Sequence, residues 1–138
     1  KYRNQLVFNK NDLKIYNDSK CTNLYNAIYK NNLINNKKKI LILGGKLKKQ
    51  KSSKFIISDT LVLIFGDYTP SFLKFLKFNN SNFYTFPNLN KLFTFLRLVI
   101  KANKYNFILF SPGGESFDAY NDYKHRGKQF NNLLKKVL

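Results

Sequence analysis

"KILILGG" (39–45) puts four consecutive apolar residues, Ile40 to Leu43, directly before a glycine pair. The run is too short for a buried helix and does not alternate with polar residues. It therefore reads as a strand covered on both faces, as in the middle of a parallel sheet. "LVLIFG" (61–66) and "FILFSPGG" (107–114) repeat the pattern. Three such strands with glycine at their ends predict an α/β domain with a mainly parallel sheet.

The flanking segments fill in the helices. "TNLYNAIYKNNLI" (22–34) places Leu24, Ala27, Ile28, Leu33 and Ile34 at roughly helical spacing. "TPSFLKFLKF" (69–78) has proline early and sets Phe72, Phe75 and Leu76 on one side, which predicts a second helix. "NLNKLFTFLRLVIKA" (88–102) carries Leu89, Leu92, Phe93, Leu96, Val99 and Ile100 on an amphipathic helix. From Asn121 onward, Phe130, Leu133, Leu134 and Val137 share one face. "QLVF" (5–8) and "LKIY" (13–16), separated by "NKND", predict an N-terminal β-hairpin, and "FYTFP" (83–87) a short strand. The expected architecture is one three-layer, Rossmann-like domain over 1–138.

At 138 residues the chain suits one domain with a real core. It begins with Lys1, and the expectation is a piece of a longer protein. No run of some 18 apolar residues exists, so no membrane-spanning helix is expected. The single cysteine, Cys21, cannot form an internal disulfide and suits a reducing compartment. The net charge of +18 points first to nucleic acid. Yet the excess is lysine, alongside abundant Asn, Ile, Phe and Tyr, with only Arg3, Arg97 and Arg126 suited to bidentate phosphate contacts. That usage matches an AT-rich genome, and "NNKKK" (35–39) and "KLKKQKSSK" (46–54) read as solvated loops.

Polar clusters fall where the strands end, the place where α/β folds bind ligands. In "NDSKCTN" (17–23), an extended chain would set Asp18, Lys20 and Thr22 in one row with Cys21 facing the core. "GGKLK" (44–48) puts flexible backbone before cations but lacks the P-loop pattern, so a solvated loop is the plain alternative. In "SPGGESFDAYNDYKHRG" (111–127), glycines precede Ser116 at the start of a helical turn. A hydroxyl among free amides makes an anion cradle, although taken alone Ser116 reads more simply as an N-cap. One Cys and one His cannot build a metal site of the usual spacing, and His125 reads as a packing or loop-bonding residue.

In this order and spacing, "NDSKCTN", "LILGGKLK" and "SPGGESFDAYNDYKHRGKQF" resemble the C-terminal domain of the Mur ligases. The likeness is to the D-glutamate-adding branch, with N-D-S-K-A-T-N, L-G-G-x-x-K and S-P-x-x-A-S-x-D-x-[FY]-x-x-[FY]-x-x-R-G-x-x-F. It covers essentially the whole chain. Departures are Tyr2 for the customary His, Cys21 and Glu115 for Ala, Leu47 for a frequently acidic or Gly position, and the looser Gly113–Gly114 pair. The resemblance implies an ATP-dependent ligase of peptidoglycan precursor synthesis. That enzyme would join D-glutamate to UDP-N-acetylmuramoyl-L-alanine through an acyl phosphate.

It also implies roles by motif match. Thr22 and Lys48 would hold the α-carboxylate of D-glutamate. Ser116, with backbone amides around Phe117 and Tyr123, would hold the side-chain carboxylate. Arg3 and Asp18 would meet the adenosine part of ATP, and Lys20 would lie near the phosphates. Mg2+ and most of the ATP contacts would belong to a central domain, so no catalytic or metal-binding residue is expected here. The implied setting is a cytoplasmic monomer that docks on its own N-terminal and central domains, without nucleic acid or membrane. The chain alone is expected to be inactive. The rival readings are a folate polyglutamate-type ligase of the same superfamily and a basic nucleic-acid-binding module.

Overall fold

The computed structural model describes residues 1–50 and 53–138. Of the 46–54 stretch, Lys51 and Ser52 lie outside the described residues. A hairpin opens the fold: β1 (Gln5–Lys10) pairs antiparallel with β2 (Leu13–Asn17). Its two turn residues, Asn11 and Asp12, have φ of 54° and 63°, the left-handed pair that matches strand twist and that Asn and Asp tolerate best. Then come α1 (Leu24–Leu33), β3 (Lys39–Gly44), β4 (Phe55–Ser58), β5 (Thr60–Phe65) and α2 (Thr69–Lys74). The chain continues through β6 (Leu76–Asn79), β7 (Asn82–Phe86), α3 (Leu89–Lys101), β8 (Phe107–Gly113), a 3-10 turn (Ser116–Asp118) and α4 (Tyr123–Val137).

Among the described residues the main sheet has six strands in the order β1-β2-β8-β3-β5-β7, and every pairing beyond the hairpin is parallel. The three apolar runs are its central strands, as expected: β3, β5 and most of β8 are buried. Alternation within them feeds two cores. Ile40 and Ile42 face Leu89, Leu92, Phe93 and Leu96 of α3 and Phe130 and Leu134 of α4. Leu41 and Leu43 face Leu24, Ala27 and Ile28 of α1 and Phe72 of α2. Helices on both faces make three layers. Phe110 stacks on Phe130 at a 4.2 Å centroid separation, and full burial of such a ring contributes about 2–3 kcal/mol.

Two expectations need correction. The helix predicted over 69–78 stops at Lys74, and Leu76–Asn79 is a strand that pairs in parallel with β4 in a separate two-stranded sheet. The stop leaves a period-2 pattern, with Leu76 buried, Lys77 exposed and Phe78 half-buried. Its partner lies some twenty residues upstream in a segment that gave no strand signal beside its lysines. Leu33 shares the helical spacing read over 22–34, but it is 65% exposed. The buried set is Leu24, Ala27, Ile28 and Asn31, the i, i+3, i+4, i+7 positions, and Leu33 falls on the opposite side.

Candidate functional site

The parallel strands β2, β8 and β3 are neighbours in the sheet and end at one rim. Each is followed by one of the three polar motifs, so the topology alone draws the three loops together. Backbone bonds then lock them. Gly113 donates its N–H to the Cys21 carbonyl at 3.1 Å. Lys46 and Glu115 exchange a pair of backbone bonds at 2.8 and 2.7 Å. At Gly45, φ is +96° and an added Cβ would sit 2.4 Å from the Glu115 carbonyl oxygen, so only glycine lets these backbones meet.

At the surface of this rim, Lys48 Nζ donates to Thr22 Oγ1 at 3.3 Å. The two residues assigned to one carboxylate are therefore adjacent, though 26 positions apart in sequence. Ser116 is buried and opens the 3-10 turn, its carbonyl accepting from Ala119 and Tyr120. The N-cap position of that turn is Glu115, which makes no side-chain cap bond, so capping does not account for Ser116. Phe117 beside it is 70% exposed. Tyr123 accepts a bond from the Ser19 hydroxyl through its carbonyl, and Lys20 Nζ lies 5.5 Å from the centre of its ring.

Arg3, Asp18 and Lys20 line a single cleft of about 410 Å³, together with Thr22 and Lys30. Thr22 is thus shared between the cleft and Lys48, whereas Ser116, Phe117 and Tyr123 lie outside the cleft. Asp18 is not the open acceptor that an extended row would present. It is 1% exposed, and Oδ1 accepts from the Asn4 amide at 2.8 Å. Oδ2 accepts from the Ser111 hydroxyl at 2.8 Å and pairs with the Lys30 ammonium. The row itself needs correction. Cys21 N–H bonds back to the Asp18 carbonyl at 2.9 Å, so the chain turns through Ser19 and Lys20 instead of running extended. Asp18, Lys20 and Thr22 meet because the turn wraps the cleft. Cys21 is packed in the core as expected, and His125 bonds to a loop, its Nδ1 accepting from Asn121 N–H at 3.2 Å.

Beneath the rim lies a group to which the sequence reading assigns no role. Arg126 is fully buried. Its Nε donates to Ser19 Oγ at 3.1 Å, Nη2 to the Ser19 carbonyl at 2.6 Å and Nη1 to the Gly114 carbonyl at 2.8 Å. One side chain on α4 thereby joins the first motif to the third. Burial draws its pKa down to about 10, against the opposing pull of the Asp118 carboxylate, so it remains charged at neutral pH. Burial likewise pushes Asp118 above the usual carboxylate range and the Tyr120 phenol up to about 12. Asn17 adds a parallel tie, donating to the Gly127 carbonyl and to Asn131 Oδ1, both at 2.9 Å. A signal for Arg126 was present: it sits one turn before Phe130 and two before Leu134, a charged residue on the inward stripe of α4.

No family model matches the chain. It is similar to UDP-N-acetylmuramoylalanine–D-glutamate ligases from several bacteria. That of Prochlorococcus marinus MIT 9312 is 32% identical over 144 residues, covering 99% of this chain and 30% of the relative. That of Petrotoga mobilis is 33% identical over 140 residues, covering 99% and 32%. That of Fusobacterium nucleatum is 29% identical over 144 residues, covering 99% and 33%. The chain spans about a third of the length of the curated relatives it matches. Motifs, strand order and relatives agree: the chain belongs to the Mur ligase family, as a C-terminal domain like that of UDP-N-acetylmuramoylalanine–D-glutamate ligases.

Proposed function

We propose that this domain is part of a longer ATP-dependent ligase that adds D-glutamate to UDP-N-acetylmuramoyl-L-alanine in the cytoplasm, during peptidoglycan precursor synthesis. The supporting observation is the Lys48–Thr22 contact on a rim where three loops are cross-bonded. An ammonium and a hydroxyl side by side suit one carboxylate, because charge-assisted bonds are the strong ones. Ser116 and the amides of its turn, fastened to Lys46 through Glu115, would take the second carboxylate of a twice-negative amino acid.

In this reading the cleft beside Thr22 receives the nucleotide. Arg3, Lys20 and Lys30 supply positive charge, and Asp18 reaches a ribose hydroxyl only by sharing with, or displacing, Lys30. ATP would convert the acceptor's carboxylate to an acyl phosphate, and this domain would hold the D-glutamate amine in reach of it. Such positioning lowers barriers by roughly 7–11 kcal/mol in favourable cases. The residues do not fit a divalent cation. Among the described residues, no three His, Cys, Asp or Glu side chains come together, so Mg2+ would be held by another domain. The chain alone would not turn over.

The test is an amino-acid exchange with the complete ligase. ADP release in the presence of UDP-N-acetylmuramoyl-L-alanine should require D-glutamate and fail with L-glutamate or D-aspartate. Activity with L-glutamate on a folate acceptor would replace this reading with the polyglutamate-type one. Turnover by the isolated chain would contradict the division of labour between domains.

A further inference from the structure

We infer that Arg126 is a positioning residue for amino-acid binding: it sets the spacing between the Thr22 loop and the Ser116 turn without touching the substrate. The inference rests on the D-glutamate reading of the rim and goes beyond it. The guanidinium is fully buried and, among the described residues, has no carboxylate within ion-pair distance. Its three bonds go to Ser19 Oγ, the Ser19 carbonyl and the Gly114 carbonyl. Ser19 lies three residues before Thr22, and Gly114 lies two before Ser116. A planar fork with fixed donor directions dictates the separation of the groups it holds, which a flexible ammonium does not.

The third loop is held to the same centre. A Cβ on Gly45 would lie 2.8 Å from Arg126 Nη1, so the "GG" of the second motif packs directly over the guanidinium. At Gly127, next to Arg126, an added Cβ would meet the buried Tyr2 ring at 2.6 Å. The helix turn bearing the guanidinium therefore has little room to shift. Ser19 Oγ extends the network by donating to the Tyr123 carbonyl at 2.7 Å.

The geometry makes the effect selective. The nucleotide cleft is lined by Arg3, Asn4 and residues of the first loop and α1, on the Ser19 side of the clasp. D-Glutamate would span both sides, with one carboxylate at Thr22 and Lys48 and the other at Ser116. A change in spacing between the loops thus disturbs the amino acid and leaves the nucleotide contacts in register.

The experiment compares Arg126→Lys and Ser19→Ala with the parent in the complete ligase, measuring KM for D-glutamate and for ATP together with thermal unfolding. A displacement of the order of 1 Å at a bound group costs up to about a hundredfold, so Arg126→Lys is expected to raise KM for D-glutamate at least about tenfold. Ser19→Ala, which removes one bond of the three, is expected to raise it about fivefold. KM for ATP should move by less than about twofold in both. A purely structural role would lower the unfolding temperature and the active fraction while leaving KM for D-glutamate unmoved. Folded variants with parental KM for D-glutamate, or with both KM values raised in parallel, would overturn the inference. Should Arg126→Lys fail to fold, Ser19→Ala decides by the same criteria. Lys48→Ala in the same assay separates the two levels. If it too leaves KM for D-glutamate unchanged, the reading of the rim fails; if it alone raises that KM, only the clasp fails.

Discussion

The rim has an exposed layer and a buried layer made from neighbouring residues of the same loops, and their polar groups end in opposite ways. Below, Asn17, Ser19 and Arg126 are wholly buried and direct their hydrogen bonds to other parts of the chain, from Gly114 to Asn131. Above, Lys20 and Lys48 are exposed, the one near an aromatic ring and the other 3.3 Å from a half-buried threonine. Burial without partners is costly, so the lower groups must bond to one another and thereby fix the fold locally. The upper groups keep donors available to a ligand at little cost in water. Substitutions in the lower layer should therefore damage stability, and binding only through the spacing of the loops, whereas substitutions in the upper layer should damage binding alone.

The strongest break is expected at the centre of the buried layer. Arg126→Met strands two carbonyls and a hydroxyl away from water, and urea unfolding should show a loss of about 4 kcal/mol. Next comes Gly45→Ala, which forces a side chain into φ +96° and against the Glu115 carbonyl. A loss of about 3 kcal/mol is expected in the same measurement.

Tyr120→Phe sharpens the comparison through pH. The Tyr120 hydroxyl bonds to Gln129 Oε1, and its loss should cost about 1 kcal/mol at neutral pH. The folded phenol has its pKa raised from 10.0 to about 12, so the unfolded chain releases its proton first. Wild-type stability from this group is intact below pH 10 and falls as pH rises toward 12, a loss that the phenylalanine variant does not share. The gap between the two proteins should narrow across that window when their unfolding is compared. On the exposed layer, Lys48→Ala should change stability by less than about 0.5 kcal/mol.

The sequence carried the exposed layer better than the buried one. Strand ends marked by glycine and three polar motifs were readable locally, and the parallel sheet then places them side by side. Arg126 escapes a local reading because a charged residue in a lysine-rich helix looks solvated until its register with Phe130 and Leu134 is traced. The burial of Asp18 escapes a local reading for a related reason: an extended row over 17–23 leaves out the turn at Ser19 and Lys20. The β4–β6 sheet was illegible because each strand is four residues long and acquires its meaning only from the other. Helix propensity in "TPSFLKFLKF" was overridden by that distant pairing.

The central claim is that this rim, and not the general positive charge of the chain, holds the amino acid. KM for D-glutamate in the complete ligase should be compared for Lys48→Ala and Lys101→Ala. Lys101 is likewise an exposed lysine, in the last turn of α3. A rise of at least about tenfold for Lys48→Ala with no change for Lys101→Ala is the expected result. Equal effects from the two, or none from either, would contradict it.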